Sequence, residues 1–252
     1  MSTKRKVLLW IILVIIAAVV GIVAVSGQRE EMSENPEQEV QQEDVAAEDA
    51  EISNEAEELR EEVVLRDFGN GLSVTEISSY SGRYVEDGSD EEVSDVLMLK
   101  VKNSREEAVE YAEFQMVLND EVAEFTVSAL MPGAEVILLE KNRMTYDAAV
   151  DYVMSDMQCV NFALYQRELQ LYEELIQVQV LDGAVNVINV SGEETSGDIT
   201  IYYKNKENGI YLGGIAYRIM IEGGMEVDEI RQKMAGHISS SSSEILFVTI
   251  SE

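Results

Sequence analysis

The chain has 252 residues, with 49 Asp and Glu against 18 Lys and Arg, and a formal charge of −31. So acidic a chain repels nucleic acid and anionic lipid headgroups and favours a cationic partner or solvent. Its one Cys excludes an internal disulfide, and with its one His it falls short of the ligands a zinc site needs.

The N-terminus carries the strongest signal. Lys4, Arg5 and Lys6 precede an apolar run, Val7 to Val25, without a charge. At about 1.5 Å per residue, 7–26 makes a helix of roughly 30 Å, one hydrocarbon thickness. The basic residues fix the N-terminus in the cytoplasm, and Trp10 suits the interface. The expectation is therefore an integral, single-pass membrane protein. Residues 1–6 form a cytoplasmic tail, 7–26 span the membrane as a signal anchor, and the C-terminal domains are extracytoplasmic. Cleavage after Ser26 is the rival reading, since Ala24 and Ser26 are small, but the run exceeds the usual length of a leader's apolar region. Ala17 and Gly21 form one small-xxx-small pair, which ordinary helix composition explains as well as a dimer face does.

Residues 27–62 read as an acidic linker. From 28 to 62 the net charge is −13, with few large apolar groups to offset the entropy of ordering. Near its end Ile52, Ala56, Leu59 and Val63 recur at helical spacing, compatible with a short helix capped at Ser53 or Asn54.

From Leu65 the period becomes two. "SDVLMLKVKN", "YAEFQMVLN", "EVAEFTVSAL" and "AEVILLEK" alternate, with a tight turn at Asn119-Asp120 and another at Pro132-Gly133. This predicts a first β-sandwich domain over 63–145. The stretch 143–175 is read as an irregular linker entering a strand at Val160, although Tyr146, Ala149, Val150, Val153 and Met157 have helical spacing. A second β-sandwich domain is expected over 146–252. Asp182-Gly183 and Asn208-Gly209 sit between strands and supply the positive φ of type I′ turns. Gly213-Gly214 reads as a bulge, and "SEILFVTI" as the last strand.

Two segments share a layout: "LKVKNSREEAVEYAEFQM" and "VNVINVSGEETSGDITIYY" each end a strand at an Asn, Asn103 or Asn189, turn, and return. This arrangement resembles the FxLYD-type and related Ig-like sandwich domains of Gram-positive bacterial membrane-anchored surface proteins, over about 95–140 and 183–250. In the places comparable to the Phe-x-Leu-Tyr-Asp string stand "FQMVLND" and "TIYYKNK". The resemblance implies tandem Ig-like domains with a surface or binding role and little chemistry.

The search for chemistry leaves the catalytic, cofactor and metal sites empty. His237 stands before a Ser tract, 239–243, and far in sequence from Cys159. Asp87, Asp90, Glu91, Glu92 and Asp95 crowd 86–95, where a solvated turn competes with a calcium site, and the spacing does not match an EF-hand. Asn189-Val190-Ser191 forms a sequon. Tyr80, Tyr84, Tyr202, Tyr203, Tyr211 and Tyr217 line either a recognition surface or the core. Gly213-Gly214 and Gly223-Gly224 lie between strands and not before a helix, so neither reads as a phosphate loop.

The sequence thus points to a mainly β, non-enzymatic, membrane-anchored binding or scaffold protein with a protein partner, and no cofactor. A docking subunit of an envelope secretion or pilus-type assembly is the alternative. A carboxylate-dependent envelope hydrolase is the second.

Overall fold

The computed structural model describes residues 63–119 and 121–251. The expected cytoplasmic tail, membrane span and acidic linker lie outside the described residues. Among the described residues the chain is mainly β and contains no helix, so none is long and apolar enough to cross a membrane.

The strands are β1 (Arg66–Asp67), β2 (Leu72–Tyr84), β3 (Glu91–Asn103), β4 (Val109–Leu118), β5 (Glu121–Leu130), β6 (Glu135–Leu139) and β7 (Asp156–Leu164). There follow β8 (Ile176–Leu181), β9 (Ala184–Asn189), β10 (Ile199–Glu207), β11 (Ile210–Leu212), β12 (Tyr217–Ile221), β13 (Ile230–Met234) and β14 (Ser243–Ile250). Alternation of buried and exposed side chains drives most of them. In β5, Ala123, Phe125 and Val127 turn inward and the residues between turn out.

The pairings reveal a duplication. β2 pairs with β3 and β3 with β6, while β4 pairs with both β5 and β7. In the second half β8 pairs with β9 and β9 with β13, while β10 pairs with both β12 and β14. Registers correspond as well: Leu72 faces Asn103 as Ile176 faces Asn189, and Val109 faces Leu130 and Leu164 as Ile199 faces Ile221 and Ile250. Each half is a pair of three-stranded antiparallel sheets sharing one buried apolar cluster. Phe114 and Phe125 anchor the first cluster, and Ile199, Ile201 and Tyr203 anchor the second; each such burial contributes roughly 1.5–3 kcal/mol.

The strand at 156–164 begins earlier than the entry at Val160 that the sequence suggests, and it completes the sheet of β4 and β5. The helically spaced residues from Tyr146 to Val153 instead form turns. Val150 N donates to Asp147 O, and Tyr146 stacks on Tyr152 at 5.1 Å. Asn208 and Gly209 both take positive φ, 50° and 84°, as a type I′ turn demands. At Asp182-Gly183 only the glycine does, so that hairpin departs from the expected turn type.

Among the described residues, two elements have no counterpart in the other half. β1 covers the free edge of β2. β11, returning from the Asn208-Gly209 turn, lies parallel to β6 and fuses the sheet of the first half to that of the second. A second bond between the halves is apolar: Phe247 of β14 belongs to the first cluster, stacked on Tyr202 at 4.4 Å and edge-on to Tyr165 at 5.3 Å.

Candidate functional site

The most concentrated chemistry among the described residues lies where the halves meet. The β2–β3 turn reaches from the first half toward the segment after β11. Gly213 and Gly214 make this approach possible. A Cβ on Gly213 would overlap the Val85 side chain, and one on Gly214 would overlap the Thr126 carbonyl. Gly213 also holds φ at 82°.

Glu86 closes the contact from the first half. Its carboxylate accepts from Leu139 N at 3.0 Å and from Gly214 N at 2.9 Å. Lys204 of β10 approaches from the other side and is fully buried. Its ammonium donates to Gly213 O at 3.0 Å, Gly214 O at 2.9 Å and Ile215 O at 3.0 Å. The Gly214 carbonyl also accepts from Ser128 N and Oγ at 2.8 and 3.1 Å. Lys204 and Glu86 thus grip the same short stretch of backbone, one by its carbonyls and the other by an N–H.

Burial raises the Glu86 carboxyl above its usual range, against the Leu139 and Gly214 N–H groups and the Lys204 charge. Burial likewise pulls Lys204 down from 10.5 to about 7, against the pull of Glu86. The three carbonyls decide which form the cage fits. An ammonium has a hydrogen for each, whereas a neutral amine would turn its lone pair on one of them. Isolated, either charge would cost several kcal/mol to bury, roughly; together, with their hydrogen bonds satisfied, they clamp the joint.

Three carboxylates of the acidic loop 86–95, which carries Glu86 at its start, are engaged by Arg143 and His237. Arg143 donates to Asp87 at 2.8 Å and Glu91 at 2.6 Å, and lies 4.5 Å from the Tyr84 ring centre. Asp87 is held below the usual carboxylate range by Ser89 and Arg143. Asp90 meets His237 Nδ1 at 3.0 Å across the joint. No group of metal-ligating residues occurs among the described residues. His237 stacks on Tyr217 at 4.9 Å, which stacks on Tyr203 at 5.2 Å. The Tyr217 hydroxyl is buried and finds no hydrogen-bond partner among the described residues.

The structure separates the other residues singled out by sequence. Cys159 lies on β7, in reach of Asn70 and Asn161, and burial pushes its thiol up. His237 belongs to the other half. Ser239 and Ser240 bond to Asp182, and Ser243 to Asn205, so the tract engages the neighbouring hairpin. Of the six tyrosines, Tyr84, Tyr203 and Tyr211 are buried, while Tyr80, Tyr202 and Tyr217 are half-buried. Tyr80 donates to Glu207 across the joint at 3.2 Å.

The sequon is structural. Asn189 is fully buried, and its Nδ2 donates to Glu193 O, Met225 O and Glu226 O at 2.7–3.1 Å while Oδ1 accepts from Ser191 N. Asn103 repeats the arrangement with Glu107 O, Leu130 O and Met131 O, and with Arg105 N. Each Asn ties the end of one sheet to the strand connection of the other. The strand-ending asparagines were visible in the sequence; the Lys204–Glu86 clamp and the Asp90–His237 pair were not, because their partners lie more than a hundred residues away.

Compared with known protein families, curated proteins and solved structures, the chain matches none.

Proposed function

We propose that this chain is a non-enzymatic, membrane-anchored, extracytoplasmic binding or scaffold protein. On this reading the apolar run 7–26 holds it in the membrane, 27–62 lifts the folded part off the surface, and two tandem Ig-like sandwiches akin to the FxLYD-type domains carry recognition. The duplicated six-strand pairing with its matched Asn103 and Asn189 networks supports the tandem-domain part.

One observation carries the functional part. The ionisable side chains gathered at the joint are consumed in holding the fold together there. Glu86 and Lys204 hold the Gly213-Gly214 backbone and Asp90 meets His237 across the joint, while Arg143, from the same half, braces the β2–β3 turn through Asp87 and Glu91. Groups committed in this way serve orientation. A fixed angle between modules presents loops of both as one surface, which suits binding. The acidic field favours a cationic partner face and makes association fall with salt.

The test is crosslinking of the anchored chain in intact membranes, with identification of what it captures. Partners recovered within the same membrane assign it to an assembly, and wall or external ligands assign it to adhesion. Hydrolysis of envelope polymers by the purified chain would refute the reading, as would a mature N-terminus at Gly27 in soluble form.

A further inference from the structure

The duplication shows what the outer edge of one module accepts, and so what its twin lacks. In the first half β11 covers β6 in parallel, with Tyr211 opposite Val136 and Leu212 opposite Ile137. Ile137 O accepts from Gly213 N at 2.8 Å, and Leu139 N donates to the Glu86 carboxylate at 3.0 Å. The Leu139 side chain is 1% exposed, clustered with Tyr84 and Leu212.

The twin of β6 is β13. Asn103 N donates to Ala134 O just as Asn189 N donates to Glu229 O, so Ile230 stands for Glu135, Gln232 for Ile137, Lys233 for Leu138 and Met234 for Leu139. In an antiparallel ladder alternate residues turn their backbone groups to the partner strand. The bonds Asn189 N to Glu229 O and Ala235 N to Gly183 O assign residues 229, 231, 233 and 235 to β9. Gln232 and Met234 therefore turn their N–H and C=O away from the sheet, as Ile137 and Leu139 do. Among the described residues nothing pairs with them. Met234 is 73% exposed where its twin is 1%, and Ile230 is 60% exposed. Lys233 is exposed and forms no ion pair among the described residues.

We propose that β13 is a docking edge for an extended segment of a partner protein, added in parallel as β11 is added to β6. The segment supplies an apolar side chain over Met234 and a carboxylate that takes the Met234 N–H and faces Lys233, the service Glu86 performs for Leu139. Main-chain bonds give such strand addition its affinity and the two side-chain positions its selectivity. The joint inside this chain fixes the direction, the register and the acceptor chemistry. β8, the sheet's other edge and likewise unpaired on its outer side among the described residues, is the twin of β2, which β1 covers antiparallel, and so it does not predict a parallel guest.

The proposal rests on the binding reading above, but its test is separate from partner capture. The full chain in detergent is mixed with a synthetic peptide of residues 207–215 carrying one added Glu at its C-terminus. Amide hydrogen exchange is then read over 230–234. With roughly nine in ten edges occupied, exchange there slows about tenfold. Met234→Pro removes an N–H that faces away from β9 and abolishes the slowing, while exchange over β9 stays as in the parent. Any one of four results overturns the proposal: no slowing at saturating peptide, slowing that survives Met234→Pro, slowing at β8 in place of β13, or faster exchange at 210–212 showing that the peptide displaces β11. Slowing that grows with chain concentration and needs no peptide assigns the edge to a second copy and also overturns it. Peptide binding at β13 without any membrane partner would uphold the edge and sink the scaffold role.

Discussion

Asn103→Ala tests whether the matched asparagine networks hold each repeat together. The side chain is fully buried, and its Nδ2 donates to Glu107 O, Leu130 O and Met131 O, each at 3.1 Å. Oδ1 accepts from Arg105 N at 3.1 Å. Alanine removes every one of these bonds. The Leu130 bond is the buried one, so its carbonyl is left dry and unsatisfied at about 1–3 kcal/mol. The Glu107 and Met131 bonds are partly buried, and water recovers most of their cost. Adding the lost Asx link to Arg105 N at about 1 kcal/mol gives a total near 3 kcal/mol. Urea unfolding of the purified chain reads this as a lower midpoint at unchanged slope. Asn189→Ala, which loses the equivalent backbone bonds and one more from Ser191 Oγ at 2.7 Å, should cost about the same, within roughly 1 kcal/mol. A loss below about 0.5 kcal/mol for Asn103→Ala, the range of an ordinary surface change, would refute the reasoning. So would a large loss at one asparagine and none at the other.

Lys204→Met takes the ammonium donor from the Gly213 and Ile215 carbonyls, leaves the Gly214 carbonyl to Ser128 alone and the Glu86 carboxylate without its counter-charge, so it should destabilise by about 3 kcal/mol in the same assay. Adding Glu86→Gln should restore part of that loss, and a double variant weaker than the sum of the singles would contradict the clamp. Gly214→Ala drives a methyl into the Thr126 carbonyl, and the expected result is a loss of at least about 2 kcal/mol with new protease cleavage between the repeats, around 165–175. Acid should weaken the fold through carboxylates held below their usual range, among them Glu76, which bonds to Lys100 at 2.6 Å. Their folded pKa lies below the unfolded value, so the unfolded chain binds more protons in that window. Their stabilisation is complete above about 4.5 and fades as pH falls through the folded value. Lys100→Met should flatten this limb of a stability–pH curve, and an unchanged limb would exclude the pair as a contributor.

Much of the local structure was legible because it is written in neighbouring residues. The two-residue period marks one buried face wherever it occurs, as in 121–130. Asn208-Gly209 announces a type I′ turn because both residues tolerate positive φ. Even the repeat showed, since Asn103 and Asn189 each bond to the backbone two and four residues on. Pairing between distant segments is a different matter. Lys204 follows buried Tyr203, so alternation alone puts it on the outward, watery side of β10. The parity is correct, but that side is covered by the first repeat, which only tertiary structure supplies. The acidic density of 86–95 was plain in the sequence, whereas Arg143 and His237, which engage it, come from loops 50 and more residues away. The tyrosines divided the same way. Sequence gives their strand positions, and burial of Tyr84, Tyr203 and Tyr211 depends on what packs above them. Short-range steric and hydrogen-bonding preferences therefore determined the strands and turns. Which faces stayed wet and which charges met was decided by long-range packing within each repeat and by the docking of one repeat on the other, because desolvation and ion pairing depend on every surface in contact and not on order along the chain.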